Sequence, residues 1–333
     1  MRDILTRRRL LAGALATVAA HRAAAQTGRT PRVGVIAPGA GPQPGTAPLP
    51  QLEALVRGLR EHGYVVGQNL VLDVRWDRAD PQTHRQHARD LVSAGVDVIV
   101  AATTASTLAV RSVTRTIPIV MAASGGGDPV ELGLAESLGR PGGNVTGVSL
   151  LTHVLPGKRL ELIKDVMPGA SRIGLMWNPT RPGQTDVRDH DAAAHTLGLS
   201  IVPFEIRRPE DIAPAFQGAR QAGAQAVVLA QGAFFTVHST KIAEAAMATR
   251  LPTLSGETGY AERGGLMNFG PNIADAWHRS AVYVDRILKG TRPSDLPIEQ
   301  PTRFELAINL KTARALALRL PPSLLLRADQ VIE

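Results

Sequence analysis

The chain has no cysteine among its 333 residues. Disulfide bonds, thiolate metal sites and cysteine nucleophiles are therefore excluded, and we expect no lipid anchor on an N-terminal cysteine. Long hydrophobic runs are also missing, because no stretch after residue 25 approaches the roughly 20 apolar residues that a transmembrane helix needs. With 44% hydrophobic and 20% charged residues, the composition is typical of a soluble globular protein.

A concentrated run of positive charge is absent beyond Arg9. The 37 basic and 29 acidic residues of the whole chain fall to 32 and 28 when residues 1–25 are set aside. The remaining charges are scattered along the sequence, whereas a nucleic-acid interface needs them clustered on one face. We therefore expect no nucleic-acid partner.

Residues 1–25 have the three-part layout of a secretory signal peptide. A start with four arginines is followed by an apolar run at 10–20 and by alanines at 23–25, which offer a cleavage site before Gln26. The string TRRRLL at 6–11 also resembles the twin-arginine (Tat) export motif. We therefore predict export, and a soluble protein of the periplasm.

The rest of the chain alternates short apolar strands with helices in two successive series. Strands are expected at residues 32–37, 69–76, 96–102, 117–122, 172–177, 199–206, 226–230 and 252–255. Because most of these segments are apolar on both faces, they predict parallel sheets that helices cover on each side. The series restarts after residues 144–149, so the pattern predicts two α/β lobes.

The C-terminal part of the chain is expected to join these lobes at a hinge. A strand at 265–269, a helix at 273–288 and a further strand and helix within 303–318 would cross between them. The expected first lobe is 27–148 with about 269–292, and the second is 149–268 with about 293–333.

Polar and aromatic residues follow the predicted strands at the ends that would face a cleft between the lobes. Ligands bind at the carboxyl ends of parallel strands, and a cleft between lobes is a favoured place for a pocket. The candidate ligand-binding residues are Thr103, Thr104, Ser124, Gly125, Trp177, Asn178, Gln231, Phe234 and Glu257. As a set they suit a small polar or aromatic solute, although any single hydroxyl or amide could instead cap a helix or close a turn.

Trp177 has the most specific of these expected roles. If the indole faces the cleft it would stack on a planar ligand, and Trp177→Ala would weaken binding by more than about 1 kcal/mol. Unchanged affinity in that variant would place the indole in the protein core.

Two glycine-containing segments resemble enzyme motifs without meeting their requirements. GAGPQPG at 39–45 follows a strand, but its spacing, its prolines and the lack of a helix before about Pro50 argue against a dinucleotide site. AASGG at 122–126 is similar to a serine nucleophile elbow, yet glycines and Pro129 follow Ser124 where a helix should begin. We expect no cofactor and no catalysis, and keep an α/β hydrolase using Ser124 as the least favoured alternative.

His84 and His87 lie three residues apart on a predicted helix and could form a metal pair. Neither a third ligand nor a His-Glu-x-x-His pattern accompanies them. We therefore expect a solvated helix face and no metal site.

Nine further segments resemble the ABC transporter substrate-binding proteins related to tryptophan- and tyrosine-type importers. They include GLREHGYVVGQN at 58–69 and RPGGNVTG at 140–147, and the others lie at 96–100, 117–120, 127–130, 157–162, 264–267, 281–288 and 304–310. The resemblance covers nearly the whole chain after the export segment. It implies the type I periplasmic-binding fold, with two Rossmann-like lobes joined by three crossovers.

The resemblance also implies a function in import. Such a protein binds a small molecule in the cleft and delivers it to the membrane permease of an ABC importer, and we expect it to act as a monomer. The alternative is an exported sensor that presents its solute to a membrane receptor.

The ligand stays open at this stage. Amino-acid-binding relatives tend to carry an Asp just before a Phe-Thr in the second lobe, where this chain has AQGAFFT at 230–236. Because an amino group would lose that carboxylate partner, an amino acid, an aromatic acid and another small organic solute are all retained.

Overall fold

The computed structural model describes residues 29–39, 41, 49–77, 81–150, 155–179, 186–301 and 303–333. The predicted export segment at 1–25 lies outside these residues, as does most of the Gly/Pro-rich loop before Pro50. Among the helices that are described, none is long and apolar enough to cross a membrane.

The first sheet contains β1 (Arg32–Pro38), β2 (Val71–Asp77), β3 (Val98–Ala101), β4 (Ile119–Ser124) and β5 (Val145–Ser149). Its strands are all parallel and lie in the order β2-β1-β3-β4-β5. The helices that follow the first three strands are α1 (Pro50–Glu61), α2 (Pro81–Ser93) and α3 (Thr104–Val113).

Helices cover both faces of this sheet because its strands are apolar on both sides. Val33 and Val35 of β1 pack in a core with Leu55 and Leu59 of α1, whereas Ile36 packs on the opposite face with Leu91 of α2. Adjacent strand residues point to opposite faces, so a continuous apolar run supplies two cores at once.

The second sheet is larger, and its last two strands run opposite to the other five. The elements that follow β5 in the chain are α4 (Pro156–Val166), β6 (Arg172–Trp177), α5 (Asp186–Thr196), β7 (Ser200–Glu205), α6 (Ile212–Gln221), β8 (Ala226–Leu229), α7 (Ala233–Val237), α8 (Ser239–Thr249), β9 (Thr253–Ser255), β10 (Met267–Pro271), α9 (Ile273–Leu288), β11 (Phe304–Asn309), α10 (Leu310–Ala315), α11 (Pro322–Leu325) and β12 (Gln330–Ile332). The strand order is β12-β11-β10-β9-β8-β6-β7. All pairs are parallel except β10 with β11.

Helix α9 follows a strand of the second sheet but packs on the first. Trp277, Ala281 and Val284 lie in the same core as β1 and α1, and the side chain of Asn272 caps the helix by accepting a hydrogen bond from Asp275 N at 3.0 Å. The chain therefore passes between the lobes after β5, after β10 and after α9.

The last passage comes later than the expected boundary near residue 292. Glu299 N donates to Gly147 O, and Ser149 N donates to Glu299 O, each at 2.9 Å. Two hydrogen bonds of 2.7 Å also join the Arg279 guanidinium of α9 to the Glu299 carboxylate. Residues 296–299 are thus held on the first lobe, and the second passage starts after Pro271 rather than at about 269.

Gly147 ends the RPGGNVTG segment, whose last three residues lie in strand β5. Its φ of +120° disfavours other residues, and an added Cβ would lie 2.3 Å from Met121 O of the neighbouring strand. We expect Gly147→Ala to lower the free energy of unfolding by about 1–3 kcal/mol or more, measured by urea denaturation.

Gly143→Ala is the matched control for that measurement. A Cβ at Gly143 would have nothing within 4 Å, so this substitution should leave the unfolding midpoint nearly unchanged. Equal midpoints for the two alanine variants would contradict the close approach of β4 and β5.

Candidate functional site

A cavity of about 320 Å³ lies between the two lobes. One wall comes from the carboxyl ends of β1 to β4 and the N-terminal turns of α1, α3 and α9, and the other from segments that follow β6, β8 and β9. Because parallel strands end at the same edge of a sheet, the two lobes turn their strand ends toward one space. The volume is at the lower end of the roughly 300–1,000 Å³ usual for small-molecule sites.

Seven of the nine residues proposed from the sequence line this cavity. They are Thr103, Thr104, Gly125, Asn178, Gln231, Phe234 and Glu257. Ser124 and Trp177 do not line it.

The N-terminus of α3 forms the polar part of the first-lobe wall. Thr103 caps the helix through a reciprocal pair of bonds with Ser106, at 3.2 Å and 3.0 Å, while Thr104 and Ala105 line the cavity. Amides in the first turn have no carbonyl partner inside their helix, and the helix dipole makes this end positive. The wall is therefore suited to a negatively charged group of a ligand.

Ser124 is occupied by an interaction inside the first lobe. Its fully buried hydroxyl lies 2.7 Å from Thr104 Oγ1, which also accepts a hydrogen bond from Gly126 N at 2.8 Å. No helix begins between Ser124 and Leu150. A nucleophile elbow needs a helix directly after the serine, so this segment lacks that geometry.

Glu257 fixes the shape of the second-lobe wall. Its Oε1 accepts a hydrogen bond from Gly232 N at 2.6 Å, and its Oε2 accepts one from Thr236 Oγ1 at 2.7 Å. These bonds hold the start of α7, where Phe234 lies on the cavity with its ring edge-on to Phe235 at 5.5 Å. The carboxylate is only 6% exposed, and each of its oxygens accepts one of these hydrogen bonds.

Carboxylates missing from the 230–236 loop are supplied from elsewhere in the chain. Asp77 at the end of β2, Asp186 at the start of α5 and Glu257 all line the cavity and are buried. Only one loop position lacks the carboxylate of the relatives, whereas the fold brings three acidic residues from distant positions to the same space. Acidic side chains therefore line the cavity although the 230–236 loop contains none.

His84 and His87 do not form the solvated face that we expected. His84 is 4% exposed and forms an ion-pair contact through Nε2 with Asp77 Oδ2, and His87 Nε2 lies 3.0 Å from Trp76 O. Both rings pack toward β2 because α2 lies along that strand. Among the described residues, no group of three potential metal ligands occurs.

Trp177 packs against the apolar core of the second lobe, and a different tryptophan reaches the cavity. Trp277 of α9 is 1% exposed and lines the first-lobe wall together with Ile273. Sequence reasoning missed both residues because α9 follows a second-lobe strand and reaches the first lobe only through the crossover. The helical spacing of its apolar residues predicts the helix, but it does not show which lobe the helix packs against.

His190 lies in α5 behind the cavity residue Asp186. The ring is 1% exposed, and Nδ1 donates to Asp186 O at 2.7 Å, whereas Nε2 is buried without a hydrogen-bond partner among the described residues. Burial lowers the pKa of His190 to about 4. As the pH falls, the unfolded chain therefore protonates this imidazole near pH 6.5, whereas the folded protein protonates it only near pH 4.

Stability should consequently fall as the pH drops from 6.5 towards 4, by up to about 3 kcal/mol from this group. We expect His190→Leu to flatten that part of the pH profile of unfolding. His195→Leu, an exposed position on the same helix, should leave the slope unchanged. Identical slopes for all three proteins would contradict a neutral buried imidazole.

Comparison with known proteins gives one consistent family. The model of the family described as ABC transporter substrate binding protein matches residues 46–332. A tyrosine-binding protein of Clostridioides difficile is 29% identical over 267 residues, which cover 79% of this chain and 75% of that protein.

Solved structures show the same relationship. The ABC domain from Streptococcus pneumonia in complex with L-Trp has a TM-score of 0.80 and 25% identity, with 91% of this chain and 100% of that chain covered. A conserved domain protein from Vibrio cholerae has a TM-score of 0.82 and 28% identity over the same shares of the chains. The predicted type I periplasmic-binding fold is thereby confirmed, and the chain belongs to the family of ABC transporter substrate-binding proteins.

Proposed function

We propose that this chain is an exported, non-catalytic binding protein that captures an amino acid between its lobes and delivers it to the permease of an ABC importer. The observation that carries the proposal is the polarity of the cavity. The positive end of α3 lies on one wall, where Asp77 is paired with His84, and the carboxylates of Asp186 and Glu257 lie on the other wall with Arg263. A ligand with a carboxylate and an ammonium group matches both walls.

The relatives support an amino acid ligand with an aromatic side chain. The protein from C. difficile is named as tyrosine-binding and that from S. pneumonia was solved with L-Trp. In this chain Trp277, Ile273 and Phe234 give the cavity an apolar part, and aromatic walls suit the face or edge of a ligand ring.

Binding would be coupled to closure of the lobes. Residues from both lobes line one cavity, and the chain passes between the lobes three times. A ligand that touches both walls stabilises the closed form by the amount that it prefers that form. The closed form would then be the one that docks on the permease.

A periplasmic location and the absence of catalysis complete the proposal. The layout of residues 1–25 supports export, by a twin-arginine route if the motif at 6–11 is used, and we expect a monomer. The occupied hydroxyl of Ser124 and the missing helix after it give no support to hydrolysis.

The test is a thermal-shift panel on protein that has been unfolded and refolded to remove trapped ligand. The panel contains amino acids, their decarboxylated amines, their N-acetyl derivatives, aromatic acids and sugars. Ligand at about a thousand times its dissociation constant adds roughly 4 kcal/mol of stability, a shift of several degrees. We expect an amino acid to give that shift and each analogue without one charged group to give less. Shifts from sugars alone, or from no compound, would refute the proposal.

A further inference from the structure

We propose that Gln231 selects the solute by donating a hydrogen bond from Nε2 to one of its oxygens, and that Arg159 is the positioning residue for this amide. This inference rests on the proposed binding of an amino acid in the cavity. It adds a requirement beyond charge, namely that the solute has an oxygen atom that can lie at the second-lobe wall.

The first observation is an unmatched donor. Gln231 lines the cavity and is 4% exposed. Its Oε1 accepts a hydrogen bond from Arg159 Nη2 at 3.0 Å, whereas Nε2 is buried and has no hydrogen-bond partner among the described residues. Buried polar groups in folded proteins are nearly always satisfied, so a donor of this kind on a cavity wall points to a ligand oxygen.

The second observation is the fixed orientation of the amide. A guanidinium has donors and no acceptor, so it must face the oxygen of Gln231 and leave the NH2 group as the other end. Reversal of the amide would bring two donors together. Arg159 therefore decides which atom of Gln231 is left without a protein partner.

Arg159 is itself held firmly enough to have this effect. It lies in α4, is 1% exposed, and donates through Nε to Phe269 O at 3.1 Å. Gly256 leaves room for the guanidinium, because a Cβ at that position would lie 2.3 Å from Nη2. A buried cation next to Oε1 also polarises the amide and strengthens Nε2 as a donor.

The chemical consequence concerns which solutes are accepted. The carboxylates of Glu257 and Asp186 on the same wall accept hydrogen bonds and favour ligand amines. Gln231 adds a donor among them, so an amine without an oxygen would leave that donor unsatisfied. A site built to bond a ligand group rejects analogues that lack it far more strongly than an apolar pocket does.

The test measures dissociation constants of L-tyrosine, L-phenylalanine, tyramine and phenethylamine by calorimetry. L-phenylalanine lacks the phenol oxygen, tyramine lacks the carboxylate, and phenethylamine lacks both. We expect Gln231→Met to weaken L-tyrosine about tenfold and to leave phenethylamine within twofold. If Gln231→Met weakens L-tyrosine but leaves L-phenylalanine or tyramine unchanged, the group that this analogue lacks contains the oxygen that Gln231 binds. Gln225→Met, which removes an amide bonded to Ser171 N on the same lobe but not on the cavity, should change none of the four constants.

The role of Arg159 is tested with Arg159→Lys, alone and combined with Gln231→Met. A positioning role predicts that the lysine variant weakens L-tyrosine and adds little to Gln231→Met, whereas independent structural effects would multiply. If the lysine variant does not fold, Gln231→Met alone still decides the role of the amide. Weakening of all four probes by less than twofold in Gln231→Met overturns this inference alone, while wild-type protein that binds no amino acid overturns the proposed function as well.

Discussion

Glu257→Ala is expected to weaken amino acid binding about a hundredfold, which corresponds to roughly 3 kcal/mol. The substitution removes the carboxylate that we propose for the ligand amino group. It also frees Gly232 N and Thr236 Oγ1, which the carboxylate holds at 2.6 Å and 2.7 Å. The start of α7 would then no longer place Phe234 on the cavity wall. Calorimetric titration of the refolded variant measures the loss.

Glu257→Gln separates charge from shape in this experiment. The amide oxygen can keep one of the two hydrogen bonds, so we expect an affinity between those of wild type and the alanine variant. Glu161→Ala removes an exposed second-lobe carboxylate that pairs with Lys158, and it should leave binding unchanged. Wild-type affinity in Glu257→Ala would show that this wall does not contact the ligand.

Trp277→Ala is expected to cause the largest loss of stability, about 3–5 kcal/mol. The indole is 1% exposed and joins α9 to the apolar core of the first lobe. Because the same side chain lines the cavity, its removal should weaken ligand binding as well. Chemical denaturation gives the stability, and titration of the remaining folded protein gives the affinity.

Trp177→Ala is the matched control. Trp177 packs on the second-lobe core and does not line the cavity, so we expect some loss of stability and an unchanged dissociation constant. Trp277→Phe should recover part of the stability that the alanine variant loses. Reduced affinity in Trp177→Ala with normal affinity in Trp277→Ala would reverse the assignment of the two indoles.

The regular elements were predictable where one local pattern dominates. The bounds of α9, Ile273–Leu288, and of β6, Arg172–Trp177, agree with the sequence prediction, because helical spacing or an uninterrupted apolar run marks each of them. Strand β5, Val145–Ser149, was not among the strands expected from the sequence. It forms because Gly147 lets the chain lie against β4 at a distance that no side chain would permit.

Long-range pairing was less predictable. Strand β11 pairs antiparallel with β10, although its apolar sequence resembles that of the parallel strands. Strand β12 has only three residues and is stabilised by β11, so its own sequence contains little information. Only the arrangement of the whole sheet fixes these two strands.

The candidate site was likewise predictable from local patterns only in part. Strand ends identified Thr104, Gln231 and Glu257 because parallel strands must end at one edge. They could not identify Trp277 or Asp186, which reach the cavity from helices, or show that Ser124 faces Thr104. Position along a strand predicts nearness to the cleft, while the direction of a side chain depends on its packing.

The most direct test of binding between the lobes is hydrogen–deuterium exchange with and without the amino acid that gives the largest thermal shift. Peptides that contain the start of α3 and peptides that contain residues 231–237 report on opposite walls of the cavity. Binding between the lobes predicts that saturation with this ligand slows exchange in both sets of peptides. Protection confined to one lobe, or protection of neither set, would contradict it.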